Sequence, residues 1–189
     1  MSSPDPVSAV TVLARPVLQA LAGAGPGCVV LLDGPSGAGK STLADVLMQR
    51  WPGSGHPSLL RLDDIYPGWD GLDVAIDQLT ECVLRPRRAG RPAAWQRYDW
   101  DRGEPAEWHP VDAGHPLIVE GCGALASANV GLSDLRVWLT ADDAVRRHRA
   151  LERDGEVFRS HWDQWQSDWV AYHERETPER WATHTLTSG

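Results

Sequence analysis

Residues 28–41 read Cys-Val-Val-Leu-Leu-Asp-Gly-Pro-Ser-Gly-Ala-Gly-Lys-Ser. The opening apolar run, residues 28–32, is typical of a strand that is buried on both faces of a parallel sheet. Residues 34–41 match the pattern Gly-x-x-x-x-Gly-Lys-Ser/Thr, whose backbone N–H groups wrap phosphate oxygens. Residues 41–50 then read as a helix that ends at Trp-Pro-Gly. The pattern therefore lies between a strand and a helix, which is the context that a phosphate-binding loop requires.

Lys40 is the only lysine of the chain, and the other 17 basic side chains are arginines. A lysine ammonium is a compact charge on a flexible stem, whereas a guanidinium is a broad planar fork. The ammonium can follow a phosphate chain around a tight loop, so we predict that Lys40 contacts the β- and γ-phosphates. The absence of a second lysine argues against a GTPase switch, because the guanine-reading Asn-Lys-x-Asp pattern needs one.

The whole loop is predicted to hold ATP·Mg²⁺. Its glycines let the backbone approach the phosphates closely, and the positive end of the following helix attracts them. The hydroxyl of Ser41 is expected to bind Mg²⁺. The predicted nucleotide-binding residues are Gly34, Pro35, Ser36, Gly37, Ala38, Gly39, Lys40, Ser41 and Thr42.

Length and composition limit the class of protein. The 189 residues indicate one domain spanning residues 1–189. A net charge of −8 argues against a nucleic-acid partner, because nucleic-acid-binding domains carry basic surfaces. Three scattered cysteines without Cys-x-x-Cys spacing indicate reduced thiols in a cytoplasmic protein. With no signal-peptide pattern and no apolar run near membrane-spanning length, no membrane partner is expected, and homo-oligomer formation is left open.

Apolar runs and helical periodicity alternate along the chain. This alternation predicts an α/β fold of the P-loop NTPase type, a three-layer sandwich with a mainly parallel five-stranded sheet. Residues 1–6 are predicted to be a loose terminus, and residues 85–115, which lack periodicity, to be irregular acceptor-binding loops. Strands are predicted at residues 28–32, 58–62, 116–120, 135–139 and 181–186, and helices at residues 8–21, 41–50, 72–84, 141–153 and 161–176.

Three carboxylates follow predicted strands. Glu120 ends the strand at 116–120 and is expected to hold Mg²⁺ through water. Asp63 and Asp64 follow the strand at 58–62, at the edge of the sheet where ligands bind open α/β folds. We predict that Asp63 accepts the proton of an acceptor hydroxyl, with Asp64 as the second candidate, and that Asp64 lies near the metal.

A cluster of arginines marks the helix at 141–153. Arg149 and Arg153 are four residues apart and share a face, which Arg146 extends. Close to the phosphate-binding loop, two guanidiniums would neutralise charge on a transferred phosphoryl group. The helix ends in Arg-Asp-Gly, so we predict a helical lid over residues 146–160 that closes over the nucleotide.

Two groups of aromatic residues are interpreted differently. The helical spacing of one group predicts packing against the sheet: Trp162, Trp165, Trp169 and Tyr172. The other group lies in segments without periodicity and is a better candidate for stacking on a planar substrate: Trp69, Trp95, Trp100 and Trp108.

Taken together, these residues resemble the uridine kinase and nucleoside kinase group of P-loop kinases. An Asp-Asp-Ile-Tyr segment after the second strand, residues 63–66, is similar to the family's Asp-Ser/Asp-Phe-Tyr. That resemblance implies that Asp63 is the catalytic base. Glu120-Gly121 is similar to the family's Glu-Gly, and residues 149–154 resemble its Arg-x-x-x-Arg-Asp lid.

The resemblance also implies two contacts with the acceptor. Trp69-Asp70 is similar to a family pair whose Asp holds sugar hydroxyls, and Tyr98-Asp99 to a pair near the substrate base. Uridine kinases have a His and an Arg shortly after the latter pair, whereas residues 100–104 here read Trp-Asp-Arg-Gly-Glu. The acceptor is therefore left open between pyrimidine nucleosides, another nucleoside such as nicotinamide riboside, and a different small alcohol.

We therefore predict a kinase that transfers the γ-phosphate of ATP·Mg²⁺ to a hydroxyl of a small, nucleoside-like acceptor. The alternative is a non-catalytic, regulatory ATP-binding module, which would need no base such as Asp63. The predicted site residues are Asp63, Lys40, Arg149 and Arg153 for catalysis, Asp63, Asp70 and Tyr98 for the acceptor, and Ser41, Glu120 and Asp64 for the metal.

Overall fold

The computed structural model describes residues 6–189, with side chains throughout except those of residues 6–9 and 154. The strands are Val29–Asp33 (β1), Ser58–Arg61 (β2), Ala93–Asp99 (β3), Glu104–Val111 (β4), Leu117–Glu120 (β5), Leu135–Ala141 (β6) and His184–Ser188 (β7). Five of them form one sheet in the order β2-β5-β1-β6-β7, and every pair in it is parallel. This confirms the predicted five-stranded sheet. The predicted loose terminus lies outside the described residues except for Pro6, which begins the first helix.

The helices are Pro6–Ala20 (α1), Lys40–Gln49 (α2), Leu72–Gln78 (α3), Arg85–Arg88 (α4), Ser127–Val130 (α5) and Asp143–Glu176 (α6). A π-helical segment, Leu79–Leu84, joins α3 to α4, so the helix predicted at 72–84 runs on to Arg88. Short 3₁₀ turns follow β2 at Leu62–Asp64 and precede β7 at Pro178–Trp181.

Strand β1 is the centre of the three layers. All five of its residues are buried, which the apolar run predicted for residues 29–32 but not for Asp33. Val29 and Leu31 join the core on the side of α3 and α6, whereas Val30 and Leu32 join the core on the side of α1 and α2. Successive side chains of a strand point to opposite faces, so an apolar run can serve both cores at once.

The expectation of irregular loops at residues 85–115 was wrong. After α4, strands β3 and β4 pair as an antiparallel ribbon outside the main sheet. Their side chains are mostly half-buried or exposed, so the sequence shows no apolar alternation to reveal them. Pro105 and Pro110 lie within β4, which a two-stranded ribbon tolerates because each of its strands is an edge.

Helix α6 is bent at Gly155, which has φ 66° and ψ −149° inside the helix. The predicted break is confirmed, but the chain returns to helix at once instead of at residue 161. The predicted packing stripe is also confirmed, since Trp162, Trp165 and Tyr172 are buried. Among residues 6–189, no helix combines the length and apolar character that crossing a membrane requires.

Candidate active site

The phosphate-binding loop connects β1 to α2 and depends on glycine at close contacts. Gly34 has φ +146° and Gly37 has φ +79°, and L side chains rarely adopt such conformations. A Cβ atom on Gly34 would lie 1.9 Å from the carbonyl oxygen of Leu139. One on Gly37 would lie 1.9 Å from that of Arg146, at the start of α6. The loop is therefore fitted directly against the backbone of β6 and α6.

Lys40 is buried at the first position of α2, with its ammonium inside the curve of the loop. Its Nζ donates to the carbonyl oxygens of Gly34 at 2.7 Å and Pro35 at 3.0 Å. Burial alone would lower the pKa of Lys40, but the surrounding negative charge, from Cys122 and then Glu120, raises it overall. The ammonium therefore stays charged where phosphate oxygens would bind.

Asp33, the last residue of β1, escaped the sequence interpretation. It is fully buried, and its carboxylate accepts hydrogen bonds from the N–H groups of Gly34 at 2.6 Å, Gly123 at 3.2 Å and Leu125 at 2.8 Å. The hydroxyl of Tyr172, on α6, donates a fourth at 2.7 Å. Burial raises the pKa of Asp33, and these donors oppose the rise. The sequence did carry a signal for this role, since Asp33 is a charged residue that directly follows an apolar run. A carboxylate at the buried end of a strand needs hydrogen-bond donors around it.

Glu120 lies at the end of β5, beside the phosphate-binding loop, and is 2% exposed. It pairs with Arg61 at 2.9 Å, and Arg61 also reaches Asp45 on α2 at 2.7 Å. Arg61 and Glu120 are register partners on the neighbouring strands β2 and β5. The arginine was missed because only the strand register brings these two residues together.

Two cavities meet at the carboxyl edge of the sheet. The first, of about 680 Å³, is lined by the phosphate-binding loop, by Arg149 and by Arg153. The second, of about 480 Å³, lies between the turn after β2, the β3–β4 ribbon and α6. Both cavities are lined by Ser36, Ser41, Asp63, Glu120 and Arg153. The structure thus brings the predicted base, two predicted metal ligands and one lid arginine to a single junction.

Aromatic side chains form much of the second cavity. Trp69 lies 4.9 Å from Trp100 and stacks on Phe158 at 5.5 Å between ring centroids. Tyr66 meets Trp165 edge to face at 4.8 Å. All five rings line the cavity. Of the tryptophans singled out for stacking, Trp69 and Trp100 are therefore in place, whereas Trp95 stacks on His109 and Trp108 is 55% exposed.

Three predicted residues of the phosphate-binding loop, Gly34, Pro35 and Ala38, line neither cavity. Outside the loop, the same is true of Asp64, Asp70 and Tyr98. Asp63 and Asp64 lie in a 3₁₀ turn, where successive side chains point about 120° apart, so only one of them faces the junction. Asp64 therefore does not line the junction with Ser41 and Glu120, and its place at the metal stays a prediction. Asp70 is exposed outside the cavity, and the ring of Tyr98 meets that of Trp100 edge to face, with 5.5 Å between their centroids.

The arginines of the predicted lid divide into two groups. Arg149 and Arg153 line the first cavity, and Arg149 donates to the hydroxyl of Ser188 at 3.0 Å. Arg146 does not share their face, contrary to expectation. Its guanidinium is buried, donates to Gln166 at 3.0 Å and lies over the rings of two buried or half-buried tryptophans, Trp162 and Trp169. Arg146 therefore holds the two halves of α6 together.

The residues at the junction fit Mg²⁺ as part of a nucleotide complex. Within the described part of the chain, no group of three or more His, Cys, Asp or Glu side chains could hold a metal alone. Mg²⁺ commonly binds one or two protein oxygens, with phosphates and water completing its shell. The Ser41 hydroxyl and the Glu120 carboxylate are oxygen donors of that kind, and both line the junction.

Neither a family model nor a curated protein matches the sequence. Solved structures match it over nearly its whole length. A possible uridine kinase from Bacillus stearothermophilus is 19% identical, with 95% of this chain and 97% of that chain covered and a TM-score of 0.65. A proposed fructose transport system kinase from Silicibacter sp. TM1040 is 18% identical, with 95% and 98% covered and a TM-score of 0.55. The chain therefore has the fold of the uridine kinase-like P-loop kinases, as its motifs predicted.

Proposed function

We propose that this protein transfers the γ-phosphate of ATP to a hydroxyl group of a small, nucleoside-like acceptor. The junction of the two cavities carries the proposal, because both are lined by Ser36, Ser41, Asp63, Glu120 and Arg153. A nucleotide in the first cavity would place its terminal phosphate there, within reach of an acceptor in the second. A protein that only bound nucleotide would need no second cavity at the same residues.

The residues of the first cavity would bind and orient the donor. The N–H groups of the loop and the ammonium of Lys40 would hold the phosphate oxygens. Ser41 and Glu120 would hold Mg²⁺, which supplies charge neutralisation between the phosphates when bound. Arg149 would add positive charge from α6 on the opposite wall.

Asp63, which lines both cavities, would accept the proton of the acceptor hydroxyl. As the acceptor oxygen bonds to the γ-phosphorus, its proton passes to the Asp63 carboxylate. The bond between the γ-phosphorus and the bridging oxygen to the β-phosphate breaks, and ADP leaves with that oxygen. Arg153 lines both cavities and would neutralise the charge on the phosphoryl group during the transfer.

The proposal is tested with Asp63→Asn, which keeps the size of the side chain but removes its basicity. Phosphate transfer from ATP is measured against nucleosides, vitamins and sugars, with Lys40→Ala as the blank. For the best acceptor we expect Asp63→Asn to lower kcat by about 10²- to 10⁴-fold while ATP binding is retained. Asp64→Asn is the matched control, since Asp64 belongs to the same turn but lines neither cavity.

Two results would contradict the proposal. Equal losses in Asp63→Asn and Asp64→Asn would show that the substitutions disturb the turn and that Asp63 has no special role. Stoichiometric ATP binding without turnover on the whole panel would instead favour the non-catalytic module.

A further inference from the structure

We infer that the acceptor carries a planar ring next to its hydroxyl-bearing group, and that the protein holds this ring by packing against its faces and not by hydrogen bonds to its edge. The inference rests on the proposed function for the reaction, but its argument comes from the second cavity alone. The inference concerns the selectivity of the second cavity among acceptors.

Aromatic rings line the cavity on several sides. Trp69 comes from the segment after β2, Trp100 from the turn of the β3–β4 ribbon, and Phe158 and Trp165 from α6. Three separate elements thus each contribute at least one aromatic ring. Planar groups gain binding energy from such surroundings whatever the polar groups on their edges, because every aromatic ring has a π-face.

Three of these rings already use their polar atoms for hydrogen bonds within the protein. The hydroxyl of Tyr66 donates to the carbonyl oxygen of Cys122 at 2.8 Å. The indole N–H of Trp100 donates to the carbonyl oxygen of Asp63 at 2.9 Å, and that of Trp165 to the hydroxyl of Ser36 at 2.9 Å. Three of the five aromatic residues therefore present carbon surface to a ligand and keep their donors for the fold.

The remaining polar side chains belong to the junction. Arg61 is held by Glu120 and Asp45, and the serines, Asp63 and Arg153 also line the first cavity. Among the described residues that line the second cavity, none is Asn, Gln or His, the uncharged side chains that most readily read a base edge. The cavity is thus polar where the hydroxyl must react and aromatic where the rest of the acceptor must lie.

This arrangement predicts how acceptors rank. A site that hydrogen-bonds a substrate group rejects an analogue without it by about 10⁴- to 10⁵-fold, whereas an apolar pocket discriminates far less. Acceptors that exchange amino for carbonyl on the same ring, such as adenosine and inosine or cytidine and uridine, should differ in kcat/KM by less than about 10-fold. Methyl riboside, which offers the same hydroxyls but no planar ring, should be lower by about 10- to 100-fold. The nucleosides, which do carry a planar ring, are the ring-bearing acceptors of the test.

The test combines these rates with direct binding measured by calorimetry on the full chain. Trp100→Ala should weaken binding of the ring-bearing acceptors by about 10-fold or more, with little change for methyl riboside. Trp108→Ala is the matched control, because Trp108 belongs to the same ribbon, is 55% exposed and does not line the cavity. Trp100→Phe keeps a ring but loses the hydrogen bond to Asp63, so it should retain most of the binding.

The outcomes separate this inference from the proposed function. Ring-bearing alcohols that bind through Trp100 without receiving phosphate would support the inference and contradict the kinase activity. Transfer to methyl riboside as fast as to the nucleosides would overturn the inference and leave the activity standing. A preference above about 100-fold within an amino/carbonyl pair, or no ring-bearing alcohol that binds, would also overturn it.

Discussion

Replacing Tyr172 by phenylalanine removes one hydroxyl from the centre of the molecule. Tyr172 is fully buried on α6, and its hydroxyl donates to the Asp33 carboxylate at 2.7 Å. The bond links α6 to the residue that precedes the phosphate-binding loop. Asp33 keeps its three backbone donors in the variant, so its carboxylate loses one of four hydrogen bonds.

The expected cost follows from the charge of the acceptor. Hydrogen bonds to charged groups contribute about 1.5–3 kcal/mol, so Tyr172→Phe should lower the free energy of unfolding by about 2 kcal/mol. For a chain of this size, that corresponds to a fall in Tm of about 4–8 °C. Tyr66→Phe is the matched control, because Tyr66 is equally buried but donates at 2.8 Å to a neutral peptide carbonyl, that of Cys122. The control should cost about 1 kcal/mol.

The pH dependence gives a second, independent check by denaturant unfolding. The Tyr172 hydroxyl favours the ionised form of Asp33, so its removal raises the pKa of Asp33 further above the ordinary carboxyl value. The folded variant then binds protons more tightly than the folded wild type. The advantage of the wild type should therefore grow as pH rises through the raised pKa of Asp33, and shrink as pH falls toward the ordinary carboxyl value.

Two results would refute this reasoning. A loss in Tyr172→Phe no greater than in Tyr66→Phe would mean that Asp33 carries no charge for the hydroxyl to stabilise. A stability difference that shrinks with rising pH would mean that the hydroxyl does not favour the ionised carboxylate.

Two further predictions concern the loop and the cysteines. Gly37→Ala should lower ATP affinity, measured by calorimetry, by about 100-fold or more, because the new Cβ would lie 1.9 Å from the Arg146 carbonyl oxygen and the φ of Gly37 is +79°. Gly23→Ala is the control: a Cβ there meets nothing within 4 Å, so ATP affinity should not change. Burial raises the pKa of Cys28 to about 11, so iodoacetamide at about pH 8 should modify half-buried Cys82 and spare Cys28 in the folded protein, as read by mass spectrometry. Rapid labelling of Cys28 would contradict its burial.

Local sequence was sufficient for the features that depend on neighbouring residues. The phosphate-binding loop is encoded within residues 34–41, and the apolar run before it predicted the central strand. Asp63 and Glu120 were predicted to lie together at the site because one directly follows an apolar run and the other ends one. Parallel strands bring such residues to one edge of the sheet, and both residues line the first cavity. Gly155 was predicted as a break because glycine is the residue that tolerates φ 66° inside a helix.

The β3–β4 ribbon could not be predicted in this way. Its strands present mostly half-buried and exposed side chains and so carry no period-two pattern. Asp64 shows a similar limit, since the sequence places it beside Asp63 while the 3₁₀ turn points the two side chains apart. Arg146 was misplaced because its partners, Gln166 and two tryptophans, lie beyond the bend of α6.

The sequence by itself determined that this protein has a phosphate-binding loop, a parallel sheet and carboxylates at the edge of that sheet. The tertiary structure alone decided what surrounds them. Asp33 takes donors from Gly123, Leu125 and Tyr172, and the second cavity takes its rings from three elements. Motifs and periodicities depend on residues that are close in sequence, and they indicate whether a residue is buried. Contacts between distant elements depend on strand register, turn geometry and packing, which arise only when the chain folds.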